Sequence, residues 1–217
     1  MPDSSMPDSR MKDFLFADMT PVDAYKVFRS VVTPRPIALV TTLAPNGTVN
    51  AAPFSFFNAV SYDPCMVVLG VDARPDRRPK DTSANIRELP EFVVNIVDRA
   101  LAEQMNLCAL ELEPGESEID VAGLETAPSV TVQPPRIVTA PAALECKRHT
   151  TLQLGNRREI VIGEVLRVVV RADLVDEQRL RIDQAGLDTV GRLGGDLYCT
   201  TRDVWAMPRP EREPGVS

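Results

Sequence analysis

The apolar positions near the start of the chain follow a helical spacing. Thr20 stands where a helix N-cap residue is expected, Pro21 suits the first helical position, and Asp23 occupies the place of a capping-box acid. The pattern predicts a helix that starts at Pro21 and ends before Pro34. Its apolar side comprises Tyr25, Phe28 and Val32.

Beyond this helix the pattern changes to short apolar runs bounded by turn residues. The first run, PIALVTTL at 36–43, is rich in β-branched residues, and the Asn46-Gly47 pair that follows is a strong hairpin signal. Similar runs predict further strands at 48–50, 54–62, 65–72, 92–97, 142–153, 159–171 and around Tyr198. The remaining segments predict helices at 80–89, 99–110 and 180–188, and an acidic loop at 111–136.

Most of these strands are separated by connections short enough for hairpins, and they do not alternate regularly with helices. This order argues against a doubly wound α/β fold. The sequence therefore predicts a mainly β protein, a closed or nearly closed antiparallel barrel with helices packed around it. We expect a single domain over residues 14–207, between disordered polar tails at 1–13 and 208–217.

Composition narrows the functional classes. The 217 residues carry a net charge of −7, which lacks the overall basic footprint of a nucleic-acid-binding protein. No run of about 20 apolar residues predicts a membrane span, and no export leader is evident. The four cysteines are far apart, which argues against a CxxC site and favours a reducing cytoplasm.

The single histidine, His149, limits the chemistry that side chains can supply. A histidine-rich metal site is excluded, and a Ser-His-Asp or Cys-His set would depend on His149 alone. A strand histidine without a catalytic role is the simpler interpretation. If the protein is an enzyme, we expect a bound cofactor to carry the chemistry, with no catalytic side chain and no metal ligand.

Three of the seven phenylalanines lie within NAAPFSFFNAVS, at 50–61, among small and polar residues. Read as one strand, the segment places Phe57, Ala59 and two serines on one face. Small residues leave room for a planar ligand, and a serine hydroxyl can reach a phosphate. A barrel strand with alternating large and small packing residues explains the same pattern without a ligand.

The segment RPDRRPKDTSANI, at 74–86, is a basic island in an acidic protein. It leads directly into a predicted helix start at Asp81-Thr82-Ser83. Helix N-termini present free N–H groups and the positive end of the helix dipole, so they bind phosphate. A solvated loop before an ordinary N-cap is the alternative. The chain has no GxGxxG or GxxxxGK[ST] pattern, so neither a Rossmann domain nor a P-loop is expected.

Two further segments carry less specific signals. RPIALVTT, at 35–42, ends a buried strand with adjacent threonines that can present hydroxyls to a ligand. GRLGG, at 191–195, contains glycines that allow close backbone approach. A plain strand and a plain turn explain both segments equally.

Taken in order, these segments resemble the flavin reductase-like, FMN-binding split-barrel proteins, which include the flavoredoxin-like group. The resemblance covers roughly residues 12–208, and the order and spacing of its motifs are more specific than any single motif. The motifs are RPIALVTT, NAAPFSFFNAVSYDP, KDTSANI, EFVVNIV, PPRI, APAALEC, VIGEVLRVVV and GRLGG. The resemblance implies a six-stranded Greek-key split barrel that binds FMN, usually in a homodimer.

The resemblance also implies which residues meet the flavin. The threonine pair of RPIALVTT is expected beside it, and residues 50–55 are expected to bind the isoalloxazine ring largely through backbone groups. The phosphate is expected to contact Ser55, Lys80 and Thr82, with Arg35 as a further candidate. Asp81 and Asn85 are expected to order the loop that carries Lys80. The full implied set is Arg35, Thr41, Thr42, Asn50, Ala51, Ala52, Pro53, Phe54, Ser55, Lys80, Asp81, Thr82 and Asn85. The Asp-Pro-Cys at 63–65 departs from the commoner Asp-Pro-Pro.

The activity implied by the resemblance is reduction of flavin by NADH or NADPH, often to supply a partner oxygenase. An FMN-binding electron carrier, a flavin oxidase of the pyridoxamine phosphate oxidase type, and a split barrel that has lost its flavin remain alternatives. The positive charge at 74–80 favours NADPH, unless FMN uses that charge itself.

Overall fold

The computed structural model describes residues 11–112, 116–155 and 158–210. The predicted tails fall mostly outside these ranges, and the described parts, 11–13 and 208–210, are exposed and belong to no helix or strand. No helix within these ranges has the length and apolar character needed to cross a membrane.

Five α-helices and fourteen strands make up the described part of the chain. The helices are α1 (Pro21–Val31), α2 (Asp81–Glu88), α3 (Ala102–Leu107), α4 (Glu118–Val121) and α5 (Gln184–Leu187), with 3-10 turns at Phe16–Asp18 and Ala172–Leu174. The strands are β1 (Arg35–Pro36), β2 (Ala38–Leu43), β3 (Val49–Phe54), β4 (Phe57–Tyr62), β5 (Cys65–Asp72), β6 (Glu91–Ile96), β7 (Thr126–Ala127), β8 (Arg136–Ile137), β9 (Ala142–Leu154), β10 (Arg158–Val170), β11 (Val175–Asp176), β12 (Arg181–Ile182), β13 (Val190–Arg192) and β14 (Tyr198–Thr200).

Helix α1 begins as its sequence predicts. The Thr20 hydroxyl oxygen accepts a hydrogen bond from the Asp23 backbone N–H at 3.2 Å and donates to the Asp23 carboxylate at 2.7 Å. Within the described residues the apolar side of α1 is only partly covered. The Tyr25 ring lies 6.3 Å from that of Phe56, but no residue of the helix is buried, and Tyr25 and Phe28 are 38% and 41% exposed.

The main sheet has seven antiparallel strands in the order β3-β2-β6-β9-β10-β5-β4. Its two edge strands, β3 and β4, follow each other in the chain through Ser55-Phe56 alone. Because this short link joins opposite edges, the sheet curls into a barrel that is split between β3 and β4. The Phe56 carbonyl at the link accepts from the Gly70 N–H of β5 at 2.7 Å. The mainly β antiparallel barrel is confirmed.

Segment 50–61 is therefore not one strand. The chain bends at Ser55-Phe56, so Phe54 ends β3 and β4 begins only at Phe57. The side-chain alternation expected from 54 to 62 does not continue through that bend. The bend is needed because the segment must leave one edge of the barrel and start the other.

Two apolar clusters pack on opposite faces of β2, whose residues are almost all buried. One fills the barrel and comprises Ala38, Val40, Phe54, Val67, Leu69, Val71, Ile86, Phe92, Val94, Cys146 and Val161. The other lies outside the barrel, under α3 and α4, and comprises Ile37, Leu39, Ala51, Val97, Leu101, Met105, Cys108, Ala122, Leu124, Ile137 and Val190.

The Gly163→Ala substitution should lower the free energy of unfolding by about 1–3 kcal/mol, because it overpacks the barrel. A Cβ atom at Gly163 would overlap the ring of Phe92, which is fully buried. Urea denaturation of the variant and the parent at equal protein concentration measures the difference. Equal stability would mean that the Phe92 ring is less tightly held than its contacts indicate.

Candidate functional site

The outer edge of β3 carries backbone groups that no other strand uses. Ala44 N–H donates to Thr48 C=O at 2.9 Å, and hydrogen-bonded pairs alternate along β2 and β3 from that point. The backbone groups of Val49, Ala51 and Pro53 therefore point away from β2, on the edge that has no strand partner. Pro53 fits this position because an edge strand tolerates a residue without an N–H.

The start of α2 lies beside this edge, because Asn50 of β3 contacts Thr82 in the first turn of the helix. Lys80 is the N-cap residue, and its side chain makes no capping hydrogen bond to the first turn. Lys80 itself is exposed. The Asp81 carboxylate accepts from Arg74 at 2.7 Å, which ties the preceding loop to the helix as the sequence analysis expects of Asp81.

Two buried amide–hydroxyl hydrogen bonds fix α2 against the barrel. Asn50 Nδ2 donates to Thr82 Oγ1 at 3.1 Å, and Asn85 Nδ2 donates to Thr42 Oγ1 at 3.0 Å. All four side chains are buried, and Thr42 and Asn50 are cross-strand partners. Because Thr82 is only 1% exposed, its side chain positions the helix, and the exposed residues at this end are Lys80 and Asp81.

The two threonines of β2 face opposite sides of the strand, because successive side chains alternate. Thr42 points towards α2, whereas Thr41 points to the outer cluster. The Thr41 hydroxyl donates to Pro135 C=O at 2.6 Å and accepts from Asn95 Nδ2 at 3.3 Å. The two threonines therefore do not face one ligand together, and Thr41 joins β2 to the segment that precedes β8.

Arg35 and Ser55 lie at the other end of β3. Arg35 donates to the carbonyls of Arg29, Val32 and Leu193, and its Nε lies 3.5 Å from Ser55 Oγ. Burial is the main cause that lowers the pKa of Arg35 below its ordinary value. Arg35 thus holds the end of α1 against the turn after β13, and its donors are occupied by backbone oxygens.

The predicted flavin-binding residues therefore lie in two groups, one at each end of β3. At about 3.3 Å per residue, the steps from Asn50 to Ser55 span roughly 16 Å along β3. Asn50 contacts Thr82 at the α2 end, whereas Ser55 contacts Arg35 at the opposite end. Ala52 and Pro53 between them are partly buried, and Phe54 is part of the barrel core.

Sequence analysis missed one polar residue at this site. Glu118, the first residue of α4, lies in the acidic segment that was expected to be a loop. Its Oε2 accepts from the Ala51 N–H at 3.3 Å, on the outer edge of β3. Ser117 followed by an acid and then by apolar Ile119 is a weak helix-start signal that points to this short helix.

Comparison with known proteins decides the family. The model of the flavin reductase like domain matches residues 28–189. The chain belongs to the flavin reductase-like domain family. A protein of Deinococcus radiodurans is 41% identical to this flavin reductase-like chain over 191 residues, which cover 85% of this chain and 84% of the relative.

Two solved structures are similar over almost their whole length. The 2-nitrobenzoate 2-nitroreductase of Pseudomonas fluorescens is 37% identical with a TM-score of 0.86, covering 95% of this chain and 100% of that one. Component B of nitrilotriacetate monooxygenase from Bacillus cereus is 32% identical with a TM-score of 0.86, covering 91% and 98%. The flavoredoxin of Desulfovibrio vulgaris, at 20% identity and a TM-score of 0.72, shares the fold.

These matches confirm the resemblance drawn from the sequence, and the split-barrel fold with it. At the level of the family they also support an oxidoreductase with a flavin cofactor. The choice between NADH and NADPH, the residues that touch the flavin and the homodimer stay predictions.

Proposed function

We propose that this flavin reductase-like protein binds FMN along β3 and transfers hydride from NADH or NADPH to it. One structural observation carries the proposal: the first turn of α2, with Lys80 at its N-cap, lies beside the open edge of β3. A helix start that can bind an anion, next to a strand edge that no other strand covers, suits a ligand that has a phosphate at one end and a flat polar ring at the other.

The α2 end fits the phosphate. Its first turn receives no capping hydrogen bond from the N-cap side chain, and the positive end of the helix dipole favours an anion there. Lys80 adds a mobile positive charge. Asn50 and Asn85 contribute indirectly, because their hydrogen bonds to Thr82 and Thr42 hold the helix at a fixed position on the barrel.

The β3 edge fits the ring. Ala52 is partly exposed and carries a small side chain, which lets a planar group approach the backbone. The carbonyl oxygens of Ala51 and Pro53 point to the free edge and can accept from a ring N–H. Backbone groups on a strand that is hydrogen-bonded along its other side are held rigidly, which favours a defined ring orientation.

When bound, the flavin supplies the chemistry by accepting hydride from the nicotinamide. The chain is proposed to bind and orient the two rings, and no side chain is assigned as acid, base or nucleophile. His149 is exposed on β9, and the sequence interpretation of a strand histidine without a catalytic role agrees with that position.

The nucleotide preference is tied to the basic segment at 74–80. Two of its four cations are paired with carboxylates, Arg74 with Asp81 and Arg78 with Asp76. Because Lys80 is assigned to the FMN phosphate, Arg77 is left to attract the additional phosphate of NADPH, so the expected preference for NADPH is small. Equal kcat/KM values for NADH and NADPH would exclude a contribution from this segment.

Steady-state turnover tests the reductase function against the electron-carrier alternative. A reductase should consume NADH or NADPH continuously when free FMN is present in excess. A protein that is reduced once and then stops would be a carrier. The Bacillus cereus relative is a component of a two-component monooxygenase, which supports delivery of reduced flavin to a partner oxygenase.

A second candidate function is reduction of an aromatic nitro compound by the bound flavin. The 37% identity to the 2-nitrobenzoate 2-nitroreductase over 95% of this chain favours it. Adding 2-nitrobenzoate to the same turnover assay separates the two, because only a nitroreductase would consume it in step with the nicotinamide.

We also propose that the protein forms a homodimer. The partly covered apolar side of α1, with Tyr25 and Phe28 more than one-third exposed, is a surface that a second copy can bury. Sedimentation analysis of the purified protein measures its mass in solution, and a monomer at micromolar concentration would contradict this assignment.

A further inference from the structure

The start of α4 covers the outer edge of β3 at two points. Glu118 Oε2 accepts from the Ala51 N–H at 3.3 Å, and Ser117 Oγ donates to the Val49 carbonyl at 3.4 Å. The Cys108 thiol of α3 points to the Glu118 carbonyl at 4.0 Å. These contacts bring the Glu118 carboxylate to the same strand edge that the proposed function assigns to the flavin.

Glu118 is half-buried and lacks a cationic partner. In the described ranges, no lysine or arginine lies within ion-pair distance of its carboxylate. Burial is the main cause that raises its pKa; the Asp81 carboxylate raises it further, while Ala51 N–H and Arg74 lower it. A partly buried carboxylate whose pKa is raised is a candidate for a ligand-binding residue.

The carboxylate also retains unused acceptor capacity. Its two oxygens offer about four acceptor positions. The Ala51 N–H uses one of them, and the residue's own backbone N–H is the other backbone donor that stabilises its charge. The remaining positions can accept hydrogen bonds from a ligand that supplies hydroxyl groups.

The position of Glu118 matches one part of the flavin. It contacts Ala51, the neighbour of Asn50, and Asn50 contacts Thr82 in the first turn of α2, where the phosphate is proposed to bind. Its hydrogen bond to Ala51 places it at the strand edge proposed for the ring. Between the phosphate and the ring of FMN lies the ribityl chain, which carries three hydroxyl groups that act as hydrogen-bond donors.

We infer that Glu118 binds the ribityl hydroxyls of the flavin through its carboxylate, at the junction between the phosphate and ring positions. The inference rests on the proposed function and adds a ligand-binding residue to it. The competing explanation is that Glu118 serves only to hold α4 on the edge of β3.

Three flavins of different length distinguish these roles. FMN has the ribityl chain and the phosphate, riboflavin lacks the phosphate, and lumiflavin lacks both. Flavin fluorescence titrations should show that Glu118→Ala weakens binding of FMN and riboflavin, each by about tenfold, which is the effect of about 1.4 kcal/mol. Binding of lumiflavin should be unchanged. The Lys80→Ala variant should instead weaken FMN alone.

Two further variants distinguish the loss of a ligand contact from the loss of folding. Glu118→Gln keeps an oxygen for the Ala51 N–H and the side-chain volume but removes the charge, so its loss of riboflavin affinity should be smaller than that of the alanine variant. Asp120→Ala removes an exposed carboxylate from the same helix and should leave all three affinities unchanged. Thermal melting of each variant reports whether the fold is intact.

The outcomes that overturn the inference are separate from those that overturn the proposed function. Equal losses for all three flavins, or no loss for riboflavin, would show that Glu118 only supports the strand edge. A parent protein that binds none of the three flavins would remove the proposed function and this inference together. A parent that binds FMN, with Glu118→Ala unaffected, would remove the inference alone.

Discussion

The Lys80→Ala variant should bind FMN about 10- to 100-fold more weakly than the parent protein. Lys80 is exposed at the N-cap of α2, and its side chain makes no capping hydrogen bond to the first turn. Hydrogen bonds to charged groups contribute about 1.5–3 kcal/mol, and each 1.4 kcal/mol corresponds to a factor of ten in affinity. The helix N–H groups remain in the variant, so FMN binding should be weakened and not abolished.

The matched control for this experiment is Arg78→Ala. Arg78 belongs to the same basic segment but is paired with Asp76 at 2.6 Å, so its removal changes the net charge equally without touching the helix start. Equilibrium titration of flavin fluorescence measures both variants. Equal losses of FMN affinity would mean that Lys80 acts only through long-range charge, and an unchanged affinity in Lys80→Ala would place the phosphate elsewhere.

The Glu145→Gln variant should lose about 2–3 kcal/mol of unfolding free energy at pH 7. The Glu145 carboxylate is fully buried and accepts from Val130 N–H at 3.1 Å, and from the backbone N–H and hydroxyl of Thr131 at 2.6 and 2.5 Å. In the variant, the NH2 group of the glutamine side chain is a hydrogen-bond donor and would face the Val130 and Thr131 donors in place of one carboxylate oxygen. The exposed Glu125 provides a control variant, Glu125→Gln, that should leave stability unchanged.

The same variant should remove a pH dependence of stability. Burial raises the pKa of Glu145, but the hydrogen bonds from Thr131 and Val130 outweigh it, so the folded-state pKa lies below its ordinary value. A group of this kind stabilises the fold above its unfolded-state pKa, and the contribution is lost as the pH falls through its folded-state pKa. The stability difference between parent and variant should therefore shrink below about pH 4.5. A difference that stays constant down to acid pH would contradict a charged Glu145.

Much of the fold follows from local signals in the sequence. The Thr20-Pro21-Asp23 start of α1, the Asn46-Gly47 turn and the long β9 and β10 strands are encoded by neighbouring residues, and the structure has them close to the predicted positions. The bend at Ser55-Phe56 was not predicted, because it depends on where the two edges of a seven-stranded sheet meet. That is a property of the closed barrel and not of the segment.

In the candidate site, too, the local elements follow from the sequence, whereas the contacts between distant residues do not. The start of α2 is a local signal that the sequence predicts, whereas its position beside β3 is seen only in the structure. The pairing of Asn50 with Thr82, the use of Thr41 by Pro135 and the contact of Glu118 with Ala51 join residues that are 32, 94 and 67 positions apart. Contacts between residues so far apart do not appear in the periodicity of the sequence. The sequence analysis therefore assigned Thr41 and Thr42 to one ligand and placed Glu118 in a loop.

The central claim is that the chain binds FMN and that a nicotinamide nucleotide reduces it there. The most direct test is the visible absorption spectrum of the purified protein, loaded with FMN and freed of excess, before and after anaerobic addition of NADH or NADPH. We expect an oxidised-flavin spectrum that bleaches rapidly with at least one of the two nucleotides. A protein that retains no FMN, or whose bound flavin keeps its colour with both nucleotides, would contradict the account.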